Sequence, residues 1–171
     1  MMDSKPNITI RPCMYNELQS VISINESTLP ENYPIYFYEQ IMEKYSDCFL
    51  VSELKNSPKS IIGYVMWRVE RGISSFGIQL VKKGHLVSLA VSENYRRMGV
   101  AKKLLIESMK KVCNYNINES VLEVRASNFS AVTLYQNIFN FKKIRVIEKY
   151  YRDGEDALYL ALKHENMNFI K

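Results

Sequence analysis

The stretch His85–Val112, HLVSLAVSENYRRMGVAKKLLIESMKKV, constrains this chain more than any other. It reads as a strand, a short basic turn holding one glycine, and an amphipathic helix. Residues 85–91 are apolar at nearly every position, the pattern of a strand covered on both faces. In the helix, Ala101, Leu104, Leu105, Ser108, Met109 and Val112 share one face, while Lys103, Glu107 and Lys110 point away. Glu107 and Lys111 are spaced as an i,i+4 pair. Where the helix starts, the first N–H groups lack intrahelical partners and the dipole turns its positive end outward. Arg96 and Arg97 add two guanidinium groups there. A phosphate is the ligand such a turn accepts most readily. A side chain larger than those of Gly99 and Ala101 would hold an anion away from the backbone.

The rest of the chain narrows the class. Its 171 residues suffice for one domain, 1–171, with 165–171 read as a loose tail. An apolar share of 47% with 24% charged residues is the composition of a globular chain. No apolar run is long enough for a membrane span, and MMDSKPN does not read as a signal peptide, so a soluble, cytoplasmic protein with no membrane partner is expected. The three cysteines, Cys13, Cys48 and Cys113, lack metal-site spacing, and neither His85 nor His164 sits in a metal-binding helix motif. No metal is expected. The net charge of +5 suits a polyanionic cofactor or an acidic peptide as well as nucleic acid. No basic stripe interleaved with aromatics marks a nucleic-acid surface, so none is expected as partner.

In chain order, residues 8–11 alternate like a strand, and residues 14–29 carry apolar residues at helical spacing up to Pro30. A loop with two prolines follows, then a tyrosine-rich helix over 35–45. Tyr33, Tyr36, Phe37 and Tyr38 fit either a helix packed on a sheet or the wall of a peptide site. Residues 48–54 and 61–69 read as paired strands, whereas 71–83 is irregular, a flexible lobe or a hairpin extension. A strand over 121–125 precedes a cap at Ser127-Asn128 and a short helix through Ala131, Leu134, Tyr135 and Ile138. Asn140 stands where a left-handed residue ends that helix, and strands over 141–146 and 157–163 finish the chain.

The pattern Arg96-x-x-Gly99-x-Ala101 after an apolar strand resembles the pyrophosphate-gripping signature of the GNAT acetyltransferases, Q/R-x-x-G-x-G/A. The element order is also theirs. The resemblance implies an α/β fold with a mixed, mostly antiparallel sheet of about seven strands flanked by about four helices. Asn128 and Ala131-Val132-Thr133-Leu134-Tyr135 resemble the family's second cofactor segment. Leu29-Pro30-Glu31-Asn32-Tyr33 and Tyr150-Tyr151-x-Asp153-Gly154-Glu155-Asp156-Ala157 resemble the two substrate loops of its N-terminal acetyltransferase branch. Within that branch the chain is most similar to archaeal enzymes akin to the catalytic subunit of the eukaryotic complex acting on Ser/Ala N-termini. It departs from the family pattern at Ala101, a permitted variant, and at Glu123, where eukaryotic relatives often carry histidine.

The resemblance implies acetyl-CoA as cofactor, held by Leu89, Ala90, Val91, Arg96, Arg97, Met98, Gly99, Val100, Ala101, Lys102, Asn128, Ala131 and Tyr135. It also implies protein N-termini as substrate, cupped by Leu29, Glu31, Tyr33, Val87, Tyr150 and Tyr151, with the ribosome a possible partner and the oligomeric state open. Acetyl transfer to an amine needs a grip on the phosphates, a donor to the thioester oxygen, and a proton acceptor for the amine. A backbone N–H near Leu89 would serve as that donor, and by resemblance Tyr135 protonates the leaving sulfur. An α-amino group, with a pKa near ~8, asks less of a base than a lysine near ~10.4. The acceptor candidates are His85, Glu123 and Glu31. Each has a plainer reading: a solvent-facing strand-end histidine, a structural ion pair with an arginine, and an exposed loop residue. The resemblance favours His85 and Glu123 acting together through water. A GNAT enzyme acetylating a ribosomal-protein alanine or a lysine side chain is the alternative enzyme, and a non-catalytic acetyl-CoA sensor the alternative of another class.

Overall fold

The computed structural model describes residues 6–57 and 60–166. Strand β1 (Ile8–Pro12) leads through one 3₁₀ turn into α1 (Leu18–Thr28), and α2 (Ile35–Tyr45) follows the two-proline loop. Next come β2 (Phe49–Leu54), β3 (Ile61–Ile73), β4 (Leu80–Val91) and α3 (Val100–Cys113). The chain closes with β5 (Glu119–Arg125), α4 (Phe129–Thr133) continued by a π-turn (Leu134–Ile138), β6 (Lys142–Ile147) and β7 (Ala157–Lys163). The seven strands form one sheet in the order β1-β2-β3-β4-β5-β7-β6. β4 and β5 pair in parallel, and the neighbours β1–β2, β2–β3, β5–β7 and β7–β6 pair antiparallel. The expected mixed sheet with four flanking helices is therefore present.

Contacts divide the chain into two compact units, Met1–Arg68 with Val87–Val112, and Val69–Leu86 with Cys113–Lys171. In the first, α1 and α2 bury Val21, Ile24, Tyr38 and Ile41 against Phe49, Val51, Tyr64 and Met66 of β2 and β3. Successive strand residues face opposite ways, so Val65 and Trp67 look to the other side, where Trp67 Nε1 donates to Ser108 Oγ of α3 at 2.9 Å. A buried polar chain crosses this unit: Asn25 Nδ2 donates to Tyr64 OH at 2.8 Å, and Tyr64 OH lies 2.7 Å from Ser88 Oγ. It turns Ser88 of β4 inward. In the second unit, Val121, Tyr159 and Ala161 form a small core with Ile144 and Ile147 against it.

The structure decides between some readings of the sequence, corrects others and agrees with the rest. Residues 71–83 are the hairpin extension: β3 runs on to Ile73 and β4 begins at Leu80. The hairpin is tied down by Glu119, which accepts from Ser74 Oγ, Ser75 N and Ser75 Oγ at 2.8–2.9 Å and meets Lys83 Nζ at 3.1 Å. Lys83 Nζ also donates to Tyr159 OH at 3.2 Å. Glu107 pairs with Lys110, at 3.0 Å, rather than with Lys111. The helix over 131–138 is a five-residue α-helix that loosens into a π-turn. Asn140 does take φ +59°. His164–Asn166 is a 3₁₀ turn, and the remainder of the expected tail lies outside the described residues.

The expectation that β4 is covered on both faces is corrected. Leu86, Ser88 and Ala90 are buried, but the alternating residues His85, Val87 and Leu89 are half-buried. Apolar side chains occupy a face that the chain itself leaves partly open.

Candidate active site

In the first unit, the turn between β4 and α3 has the form the glycine pattern predicts. Arg97 sits at φ +60° and Gly99 at φ +82°, two left-handed residues around Met98. A left-handed arginine is strained, the kind of conformation that persists where structure over-determines it. A Cβ built on Gly99 would meet nothing within 4 Å, so the backbone here fronts open space. Val100 opens α3, no acidic residue stands in its first turn, and Arg96, Arg97 and Lys102 are exposed. Arg96 Nε donates to Val91 O at 3.2 Å, which ties the turn to the end of β4. This donor set, amides at a helix start plus guanidinium groups, fits a diphosphate such as coenzyme A carries.

The same unit brings together Leu29, Tyr33 and Val87, all half-buried against its core. Tyr33 stacks on Phe37 with centroids 4.8 Å apart, meets Tyr38 edge-on at 6.0 Å, and donates from its hydroxyl to Val87 O at 3.4 Å. The proline loop is thus pinned to β4. Glu31 is half-buried on that loop.

In the second unit, His85 and Glu123 meet. The Nε2 of His85 lies 2.6 Å from Glu123 Oε2, with the side chains 12% and 15% exposed. The parallel pairing of β4 with β5 at Lys83–His85 places the two groups on neighbouring strands. Histidine, not arginine, is the partner of Glu123. Glu70 of β3, absent from the sequence reading, stands 3.3 Å from His85 Nδ1. Burial lowers the imidazole pKa, but the hydrogen bonds and charge of Glu123 and Glu70 outweigh it and raise it above its ordinary value.

Tyr135 lies in the π-turn, buried and edge-on to Phe141 at 6.0 Å. Burial pushes its phenol well above the ordinary value, so it keeps its proton at neutral pH. Asn128 caps α4: its Oδ1 accepts from Ala131 N at 3.1 Å, so toward a cofactor it has Nδ2 to offer. Tyr150 and Tyr151 pack edge to face at 5.0 Å. Their loop is held by Arg125, another residue the sequence reading missed. Its guanidinium lies 4.0 Å from the Tyr151 ring centre, donating to Asp153 at 2.8 Å and Glu155 at 2.6 Å. The signal for Arg125 was present, a charged residue at the end of an apolar strand. For Glu70 there was none, because it falls between the strand read over 61–69 and the irregular stretch 71–83.

The described residues contain no helix long and apolar enough to cross a membrane and no cluster of metal-ligating side chains. The model of the acetyltransferase (GNAT) family matches residues 18–141, which span both units. The chain is 45% identical to an N-alpha-acetyltransferase of Saccharolobus solfataricus, over 93% of this chain and 95% of that one. It is 31% identical to the N-terminal acetyltransferase complex ARD1 subunit homolog of Dictyostelium discoideum, over 91% of this chain and 72% of that one. In fold it matches a chain of the NatC complex bound to Gag peptide and coenzyme A, with TM-score 0.84 and 24% identity, over 92% of this chain and 98% of that one. By the family model over residues 18–141 and the 45% identity over nearly its full length, the chain belongs to the GNAT acetyltransferase family.

Proposed function

We propose that this chain, acting as one catalytic domain, is a protein Nα-acetyltransferase that moves the acetyl group of acetyl-CoA to the free α-amino group of a polypeptide. The observation that carries the reading is the pairing of His85 with Glu123 at 2.6 Å, a proton-accepting couple on adjacent strands. The similarity to relatives named N-alpha-acetyltransferase at 42–45% identity supports the choice of an α-amine.

When bound, acetyl-CoA supplies an acetyl thioester. Arg96, Arg97, Lys102 and the amides of Met98 to Ala101 would hold the diphosphate, and the end of β4 at Leu89, Ala90 and Val91 would line up the acyl arm. The Leu89 N–H would be the donor to the thioester carbonyl oxygen. Leu29, Tyr33 and Val87 receive the first residue of the substrate, Glu31 faces its amine, and Tyr150 and Tyr151 cover the chain that follows. The His85–Glu123 couple takes the α-ammonium proton, directly or through water. Tyr135, still protonated, would be the proton donor to the leaving sulfur, and the second proton that the nitrogen sheds as the amide forms would restore its hydroxyl. An α-amine near ~8 needs only a moderate acceptor. The site of action we assign is the cytoplasm, on nascent or mature chains, and a net charge of +5 suits work close to the ribosome.

The test is thiol release from acetyl-CoA with peptides beginning in free Ser, Ala, Met-Glu or Met-Leu, set beside lysine peptides with blocked N-termini. Turnover on the free N-termini is expected, and turnover confined to the blocked lysine peptides overturns the reading. The double variant His85→Ala/Glu123→Ala is expected to lose kcat by far more than it loses acetyl-CoA affinity. Unchanged turnover there moves the proton acceptor to Glu31.

A further inference from the structure

Three neighbouring strands each send one ionisable side chain to the same place: Glu70 from β3, His85 from β4 and Glu123 from β5. Glu70 Oε1 is 3.3 Å from Nδ1, and Glu123 Oε2 is 2.6 Å from Nε2, so each ring nitrogen faces a carboxylate. A neutral imidazole has a single N–H. One carboxylate must therefore receive that hydrogen, and the other confronts the ring's lone pair until a second proton arrives. Lys83, two residues earlier on β4, is engaged by Glu119 and Tyr159. Glu123 and Glu70 both favour the protonated ring, by hydrogen bond and by charge.

We propose that Glu70 is a positioning residue for acetyl transfer: it takes the Nδ1–H of His85 and so leaves Nε2 to share its proton with Glu123. The inference rests on the assignment of the His85–Glu123 couple to the substrate amine. The 2.6 Å contact between Nε2 and Oε2 is that of the proton-loaded couple; in the form that accepts substrate, Nδ1–H stays on Glu70 and no hydrogen lies between Nε2 and Oε2. The α-ammonium then gives up one proton, becoming the neutral amine, and that proton comes to lie between Nε2 and Oε2. The negative charge of Glu70 makes the couple hold this proton more tightly, which brings its basicity toward that of the α-amine. The raised pKa of His85 has this same origin. The role of Glu70 parallels that of a carboxylate that orients an imidazole and fixes its tautomer.

Glu70→Gln keeps the shape and one acceptor oxygen, removes the charge and replaces the other oxygen with an NH2 donor. With two histidines in the chain, ¹⁵N-histidine NMR of the full protein resolves His85 directly, His164→Gln removing the other signal. The titration midpoint of His85 is expected to fall by at least about half a pH unit in Glu70→Gln. The acidic limb of kcat/KM for a free-N-terminus peptide is expected to move down with it, while the KM for acetyl-CoA stays put. Glu70→Asp should restore part of both shifts. A His85 midpoint unchanged by Glu70→Gln overturns the proposal, and so does a shifted midpoint with an unmoved kinetic limb. If the wild-type chain turns over no free N-terminus, the proposed function fails instead, and the NMR titration still reports on Glu70.

Discussion

Gly63 of β3 lies close against the end of β4, and replacing it with alanine should affect stability and catalysis together. A Cβ at this position would lie 2.9 Å from Ala90 O, 3.1 Å from Ser52 Oγ and 3.2 Å from Val91 Cγ2. Ordinary contact begins at 3.4 Å, so the clash with Ala90 is 3.4 − 2.9 = 0.5 Å deep. Ser52 Oγ can rotate and Val91 can shift a methyl group, but the Ala90 carbonyl is main chain and moves only with its strand. Overpacking of this kind costs about 1–3 kcal/mol. For a chain of this length the melting temperature falls roughly 2–4 °C per kcal/mol, a drop of roughly 2–12 °C. The strand that yields carries Leu89, whose amide we assign to the thioester oxygen. Loss of such a donor lowers kcat about 10²–10³-fold, and a displacement of a few tenths of an ångström should cost roughly tenfold. Gly72→Ala, on the same strand, is the control, because its Cβ would meet only Lys83 Cε at a comfortable 3.7 Å. Calorimetric melting and kcat at saturating peptide and acetyl-CoA decide the matter. If Gly63→Ala matches Gly72→Ala in both, the close approach of β3 and β4 has no bearing on the site.

Arg125→Met should loosen the loop of Tyr150 and Tyr151, raising the KM for peptide several-fold at constant KM for acetyl-CoA. Equal changes in the two constants would show that the arginine serves the fold and not the loop. Lys83→Met leaves the buried Glu119 charged but still served by Ser74 and Ser75, so its cost should fall at or below the low end of the ~3–5 kcal/mol seen when a buried pair is broken, as read from chemical denaturation. Burial raises the Glu119 pKa, but the serine donors and Lys83 outweigh this and hold it below the ordinary 4.5. A depressed carboxyl stabilises the fold above its unfolded value and loses that contribution as pH falls through its folded value. The wild-type melting temperature should therefore drop, as pH falls below the ordinary 4.5, more steeply than that of Glu119→Gln, and parallel curves would contradict the assignment. Gly99→Ala puts a side chain on φ +82° and should weaken coenzyme A binding by calorimetry while leaving His85 titration unchanged.

What the sequence revealed follows the range of the forces involved. The bounds of α2 at 35–45 and of β7 at 157–163, and the left-handed Asn140, were all legible because periodicity and punctuating residues act over a few neighbours. The π-turn at Tyr135 was not, because a backbone that bonds Phe139 N to Leu134 O keeps nearly the same side-chain spacing as an α-helix. Glu70 was hidden for a related reason. Its partner lies fifteen residues on, and only the register of a long hairpin turns an exposed-looking carboxylate toward an imidazole. β4 misled in a more instructive way. Its unbroken apolar run predicted two covered faces, yet Val87 and Leu89 stand half-buried. Apolar character reports what finally covers a residue, and at a binding site that cover includes the ligand. Leu89 and Val87 occupy positions that the acyl arm and the substrate's first residue would complete. A strand that reads as buried beside a face that is half open is what the proposed substrate site would produce.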